Sequence, residues 1–245
     1  YSGWGGLSDA FEPNKDSWHS EYTELKSLLT EEEYAAARSS TLTAFYTPPE
    51  VIDAMYTALR KMGVGAGTIL EPSMGVGAFF GQSHSYLYEP TTRLFGVELD
   101  SLTGRIARQL YQKANIQITG FEKADLPDSF FDVVIGNVPF GDYSVVDPQY
   151  NRLHFKIHDY FFAKSVDKLR TGGIIAFITT SGTLDKKSEE VRRYINARCD
   201  FIGAVRLPDS TFKSAGTKAM ADIIFLQKRD RILEQDASWL HTTQT

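Results

Sequence analysis

The sequence predicts an α/β protein: a seven-stranded, mostly parallel sheet with helices in the connections and a reversed last strand. Three observations carry this. Seven short runs rich in β-branched and aromatic residues recur at Thr68–Leu70, Arg93–Glu98, Ile116–Thr119, Asp132–Gly136, Gly173–Thr179, Phe201–Arg206 and Ala221–Gln227. Helical patterns fill most segments between them, as repeated βα units require. The last two runs are joined by Leu207-Pro208-Asp209 and a Gly216-Thr217 turn, too little chain for a crossover helix, so the final strand is expected to run antiparallel.

Residues 1–42 read as an N-terminal helical lead-in. It opens on Gly3-Trp4-Gly5-Gly6, with Trp4 expected on the domain surface, and continues through Ser17–Ser39. Thr30-Glu31-Glu32-Glu33 there resembles a helix start, with acids where the macrodipole favours them. Pro48–Met62 begins with Pro-Pro-Glu, a helix-initiating pattern, and Leu102–Lys113 is amphipathic. His158–Leu169 has apolar residues at helical spacing. Lys186–Arg198 is charged on one side, so Lys186, Lys187, Arg192 and Arg193 are expected on a solvated helix face. Residues 43–230 form the main domain on this reading, and 231–245 a C-terminal tail or a linker to further domains.

With 245 residues, 42% hydrophobic, 13% aromatic and 23% charged, the chain has a globular composition, not a disordered one. Its net charge is −5, so DNA contact is expected to be local or supplied by another domain. The single cysteine, Cys199, excludes a disulfide framework and a multi-cysteine zinc site, and reads as a small core residue in a protein of the reducing cytoplasm. The longest apolar stretch, Ile174–Ile178, is far too short for a membrane span. Because the chain opens on Tyr1, it is expected to be a piece of a longer polypeptide.

Open α/β sheets bind ligands beyond the carboxyl ends of their strands. After the first strand comes Glu71-Pro72-Ser73-Met74-Gly75-Val76-Gly77, and the second ends at Glu98-Leu99. Glycines let a ligand approach the backbone, and an acid about 20 residues further on can hold two ribose hydroxyls. This suits a dinucleotide or S-adenosylmethionine, and also a loop needed only for tight packing. Glu71 favours S-adenosylmethionine, because a carboxylate there repels a pyrophosphate but attracts a sulfonium or an ammonium. The fourth strand ends in Asn137-Val138-Pro139-Phe140-Gly141. The exocyclic amine of adenine is a weak nucleophile that needs acceptors to draw it toward tetrahedral geometry. The Asn137 side-chain oxygen and the Val138 carbonyl can be those acceptors, Pro139 stiffens the turn, and the Phe140 ring can stack on the base. Phe140 in the core of an ordinary turn is the alternative.

In the order of these motifs the sequence resembles the N6-adenine DNA methyltransferases of the gamma arrangement, a branch of the Rossmann-like class I S-adenosylmethionine-dependent methyltransferases. Phe45-Tyr46-Thr47-Pro48-Pro49-Glu50 looks like motif X, Glu71–Gly77 like motif I, Glu98 like the motif II acid, and Gly120-Phe121-Glu122 like motif III. Asn137–Phe140 looks like the catalytic motif IV, and Leu207-Pro208 through Phe212 like motif VIII. Tyr1-Ser2-Gly3-Trp4-Gly5-Gly6-Leu7 and His158-Asp159-Tyr160-Phe161-Phe162 are similar to the methylase part of large methylase-helicase fusions of bacterial conjugative elements and phages, associated with antirestriction. The resemblance implies S-adenosylmethionine as cofactor, DNA as partner, recognition and helicase domains elsewhere in the polypeptide, and the cytoplasm of a bacterial or phage-infected cell. It implies that Tyr46 and Thr47 meet the methionine carboxylate, and that Glu71, Ser73, Gly75 and Gly77 surround the methionine and sulfonium. Glu98 and Leu99 would serve the ribose region and Glu122 the cofactor adenine, while Phe140 and Phe212 sandwich a flipped base. Two residues depart from the usual pattern: Val138 stands where proline is usual, which implies a freer turn, and Glu122 stands where aspartate is usual.

A non-catalytic S-adenosylmethionine-binding module of a larger helicase protein, and an RNA or protein amino-methyltransferase, remain alternatives at this point. His154 and His158 share a helical spacing but have no third ligand evident, so a surface or capping role is expected. The polar and aromatic stretch Asp142–Lys156 reads equally as a loop over DNA and as an ordinary surface loop.

Overall fold

A computed structural model describes residues 4–41, 47–86, 91–212 and 220–241; the Gly216-Thr217 turn and Tyr46 lie outside the described residues. In chain order the helices are α1 (His19–Leu28), α2 (Glu31–Ser40), α3 (Pro49–Lys61), α4 (Ala78–Tyr86), α5 (Ser101–Leu110), α6 (Ile157–Lys168), α7 (Gly182–Asp185) and α8 (Glu190–Arg198). The strands are β1 (Thr68–Glu71), β2 (Arg93–Glu98), β3 (Asn115–Ile118), β4 (Phe131–Asn137), β5 (Leu169–Thr180), β6 (Cys199–Arg206) and β7 (Ala221–Lys228).

The strands form one sheet in the order β3-β2-β1-β4-β5-β7-β6. Strand β7 is antiparallel to both its neighbours, and the other pairings are parallel. The chain leaves β1 toward β2 and β3, then returns to place β4 on the other side of β1. The crevice at the carboxyl ends of β1 and β4 is therefore the switch point where such sheets bind ligands.

Both faces of the sheet are covered, so its central strands are apolar on both sides. On one face α3 contributes Ile52, Met55, Tyr56 and Leu59, at the i, i+3, i+4, i+7 spacing of a single stripe, packed with Ile69, Val133, Ile135 and Ile178. The other face is filled by α6 with Val134, Ile175 and Phe177. Helix α6 is buried nearly all round, and its lysines reach partners along their stems: Lys164 Nζ to Asp147 at 3.0 Å, and Lys168 Nζ to Asp128 at 2.6 Å. Helix α2 starts at a capping box, Thr30 and Glu33 each satisfying the other's backbone N–H, where the sequence places it.

Two local expectations are corrected, the solvated helix face and the surface or capping place of His158. The charged segment is not one solvated helix: α7 ends before Lys186, α8 begins at Glu190, and Arg192 is completely buried. The Arg192 guanidinium donates to the carbonyls of Thr183, Leu184, Lys186 and Leu240, taking up acceptors left free where α7 ends. Lys186 is likewise held on the buried Asp159 at 2.6 Å. Trp4 packs on the domain and is buried there: its indole N–H donates to Asp100 at 2.9 Å and its ring meets Phe11 edge-on. His158 is buried too, at the start of α6, 3.6 Å from Asp159. The segment after β7 folds back, stacking Trp239 on Phe201 at 4.6 Å and bonding Asn196 to the Gln235 carbonyl. Among the described residues no helix is long and apolar enough to cross a membrane.

Candidate active site

The loop after β1 turns through two glycines in the left-handed region, Gly75 at φ 55° and Gly77 at φ 84°. A Cβ on Gly77 would sit 2.5 Å from the Tyr111 ring, whereas one on Gly75 would enter open space. Gly77 permits close packing, and Gly75 leaves room for a ligand against the backbone. The loop is tied to β2 by the Met74 N–H on the Val97 carbonyl at 2.9 Å.

Glu71 ends β1 with a side chain only 2% exposed, and its Oε2 has no hydrogen-bond partner among the described residues. Burial and the neighbouring Glu98 charge push its carboxyl well above the usual range. Glu98 receives the Gly75 N–H on Oε2 and the Asp100 N–H on Oε1, both at 2.8 Å. Burial nonetheless pushes its carboxyl up to about 7. Leu99 beside it is 71% exposed, and presents an apolar side chain at the end of β2. Glu122 lies in the turn Phe121–Lys123 after β3, folded over Gly120, where a Cβ would collide with its carboxylate. A buried acid with an orphaned oxygen and a half-buried one, beside a glycine cradle, are a donor set suited to a ligand that is cationic and carries a ribose.

Asn137 ends β4 and is braced from three sides. Its Nδ2 donates to Thr47 Oγ1 at 3.2 Å, Ser73 Oγ donates to its carbonyl at 2.8 Å, and the next N–H, Val138, bonds the Ile178 carbonyl at 3.1 Å. Thr47 and Ser73, read from sequence as cofactor contacts, thus also orient the Asn137 amide and backbone, a role that has no signal in the motifs alone. Val138 does not loosen the turn. It is buried, and its N–H makes a ladder bond that proline has no hydrogen to make. Pro139 and Phe140 are half-buried, with Phe140 packed against the core clusters on both sheet faces. Phe212 is 2% exposed and packs with Leu207, Ala221 and Ile223, so its ring is part of the core wall rather than an open plate.

Beyond the turn, the loop Asp142–Lys156 is pinned by buried Asp147, which accepts from Tyr160 Oη at 2.8 Å and Lys164 Nζ at 3.0 Å. An Asp142–Lys156 ion pair at 2.7 Å closes its base. Tyr143 and Val146 remain exposed on it. His154 adopts a left-handed φ of 51° where it closes the turn Asn151–Leu153. Cys199 is buried, and its thiol is pushed up to about 12 by burial, which leaves it unreactive.

The sheet order and the glycine-acid edge define the class I S-adenosylmethionine-dependent methyltransferase fold, and solved structures bear this out. The chain superposes on a modification subunit of a type I restriction enzyme from Vibrio vulnificus with a TM-score of 0.63 at 19% identity, covering 86% of this chain and 49% of that one. It superposes on a type I restriction-modification methyltransferase subunit from Streptococcus thermophilus with a TM-score of 0.64 at 20% identity, covering 87% and 54%. The N-6 DNA Methylase family model matches residues 28–243, and the chain belongs to that family. Membership brings S-adenosylmethionine as the cofactor. Defense against restriction protein B of Escherichia phage P1 is 28% identical over 203 residues, which are 80% of this chain and 9% of that protein. An uncharacterized protein, YtxK, of Bacillus subtilis is 27% identical over 156 residues, 58% of this chain and 46% of that protein. The chain thus spans less than a tenth of one curated relative and about half of the other.

Proposed function

We propose that this chain transfers a methyl group to the N6 amine of adenine in DNA, with the base flipped into the crevice between the ends of β1 and β4. The observation that carries the reading is Asn137: its amide nitrogen is committed to Thr47, which fixes Oδ1 as the atom that would accept from the target amine. S-adenosylmethionine supplies an electrophilic methyl on a sulfonium. Glu71 would neutralise the cationic methionine part from its buried position, and Glu98 would accept the ribose hydroxyls with the lone pairs its two backbone donors leave. Leu99 would cover the ribose-adenine junction, and Glu122 would receive the cofactor's adenine amine.

For the target, Asn137 Oδ1 and the Val138 carbonyl would accept the two amine hydrogens, localising the nitrogen lone pair toward the methyl. These contacts strengthen as the nitrogen becomes tetrahedral, so they lower the barrier more than they tighten binding. Phe140, the half-buried ring of the pair named from sequence, would stack on the base. DNA affinity and sequence choice we assign to surfaces outside this chain, since its net charge of −5 supplies little phosphate binding. The phage P1 relative is named for defence against restriction, and methylation that hides cleavage sites is the role we propose here.

The test is methyl transfer from labelled S-adenosylmethionine to DNA in the full-length protein, followed by nucleoside analysis. N6-methyladenine is the expected product. Label in cytosine, in RNA alone or in protein would overturn the reading.

A further inference from the structure

The Gly3-Trp4-Gly5-Gly6 motif has no place in the chemistry above, yet its tryptophan reaches the cofactor edge. Trp4 lies 8% exposed, and its Nε1–H donates to Asp100 Oδ2 at 2.9 Å across 96 residues of chain. Its ring packs edge-on against Phe11 at 5.5 Å, Phe11 meets Tyr34 at 5.2 Å, and Leu102 of α5 packs on the same cluster. A second tie joins the same two units, Arg105 Nη2 to Glu33 Oε1 at 2.6 Å.

Asp100 is where these contacts converge. It is buried, and among the described residues the donors on its carboxylate are all neutral: the Leu102 N–H on Oδ1 at 3.0 Å, and Thr103 Oγ1 at 2.6 Å with the Trp4 indole on Oδ2. With both oxygens held, the residue is fixed at the N-cap of α5, and its own N–H donates to Glu98 Oε1 at 2.8 Å. The Gly75 N–H holds the other oxygen of Glu98. The indole, Asp100 and Glu98 therefore form one continuous hydrogen-bonded line from the N-terminal unit to the acid at the end of β2. Packing against Phe11 requires only a ring. The N–H is one of the two donors on Asp100 Oδ2, and a buried carboxylate that loses a donor is held less firmly.

We propose that Trp4 is a positioning residue of the cofactor site: its indole N–H fixes Asp100 and, through the Asp100 N–H, the Glu98 carboxylate. The N-terminal unit is on this reading a working part of the cofactor site. The proposal rests on the assignment of Glu98 to the cofactor ribose, and the experiment separates the two.

Titration calorimetry on the full chain would use S-adenosylhomocysteine and its 2′,3′-dideoxy counterpart as probes. Two variants delete the N–H: Trp4→Phe, and replacement of Trp4 by benzothienylalanine, which keeps the fused ring and folds if the phenylalanine variant does not. The expected result is about 3- to 10-fold weaker binding of S-adenosylhomocysteine, the range a single net hydrogen bond sets, with the dideoxy probe unchanged. The preference for the ribose-bearing probe then shrinks by the same factor. An unchanged preference, or equal weakening of both probes, would reduce Trp4 to packing and overturn the proposal. Glu98→Gln is the control. If it leaves the preference at the wild-type value, the ribose assignment itself fails, and the positioning role falls with it.

Discussion

The ends of β1 and β4 lie side by side in the sheet, and they are finished in opposite ways. At β1 the carboxyl of Glu71 is buried with an oxygen unsatisfied, next to a second acid pushed up to about 7. At β4 the neutral amide of Asn137 is held by Thr47, its carbonyl by Ser73, and the following N–H by Ile178. One end carries an electrostatic cost that a cation would relieve on the proposed function, and the other is held in place by the fold's own contacts. A site that binds a charged donor and activates a neutral acceptor needs both finishes: affinity comes from the relieved cost, rate from the fixed geometry.

The sharpest way to break the comparison is Asn137→Ala. If β4 serves rate, single-turnover methyl transfer falls by about 100-fold or more while cofactor affinity stays within about twofold. Rapid-quench transfer in the full-length protein and calorimetry on this chain measure the two separately. Equal losses in both would mean that Asn137 belongs to the binding half.

Glu71→Gln tests the other half, with two effects of opposite sign. Cofactor affinity is expected to fall by about 10-fold or more, since a charge-assisted contact is worth about 1.5–3 kcal/mol. The ligand-free protein should melt higher at pH 8, because the cost of burying an ionisable carboxyl is gone. A variant that melts lower and still binds would contradict the stored cost.

The same cost predicts a pH signature. Both carboxyls are raised in the folded state above their ordinary value of 4.5, so between that pH and about 7 the folded chain holds more protons than the unfolded one. Their contribution to stability is therefore lost as pH rises through this window. On the proposed function cofactor binding runs the other way, because it would need the ionised acids. Melting curves from pH 5 to 8 should show the ligand-free Tm falling and the shift caused by S-adenosylmethionine growing. Glu98→Gln should flatten part of both trends.

How much of this was legible depends on contact range. The seven strands were readable because β-branched runs and short turns are local signals, and observed boundaries at Arg93–Glu98 and near Ala221–Lys228 follow the sequence expectation closely. That Glu71, Glu98 and Asn137 stand at the ends of their strands was readable, because each closes a local β run. The braces were not. Thr47 meets Asn137 across 90 residues, Ser73 across 64, and Trp4 meets Asp100 across 96, and nothing in a local motif reports such a partner. Arg192 misled for the same reason: beside Arg193 it reads as a surface charge, and the carbonyls of Thr183, Leu184, Lys186 and Leu240 make its burial possible. Helix α4, composed as Ala-Phe-Phe-Gly-Gln-Ser-His-Ser-Tyr, lacks strong intrinsic propensity, so its packing against α3 is what holds it.

The smallest expected effect separates the two braces of Asn137 from each other. Thr47→Val keeps the shape of the side chain but removes the oxygen that accepts from Nδ2, which weakens the hold on the orientation of the amide oxygen toward the target amine. Ser73→Ala removes a donor from the Asn137 carbonyl, where the backbone is still held by the ladder bond of Val138. Losing orientation of the acceptor atom should cost more than losing one of two backbone anchors: about 10-fold in single-turnover rate for Thr47→Val against about threefold for Ser73→Ala, within the span of one net hydrogen bond. Thr47→Val should leave S-adenosylmethionine affinity nearly unchanged if its work is orientation, and weaken it if the hydroxyl also holds the methionine carboxylate. Should Ser73→Ala prove the more damaging of the two, the turn rather than the amide would be the element that β4 preorganises, and the Val138 carbonyl would become the principal acceptor for the target amine.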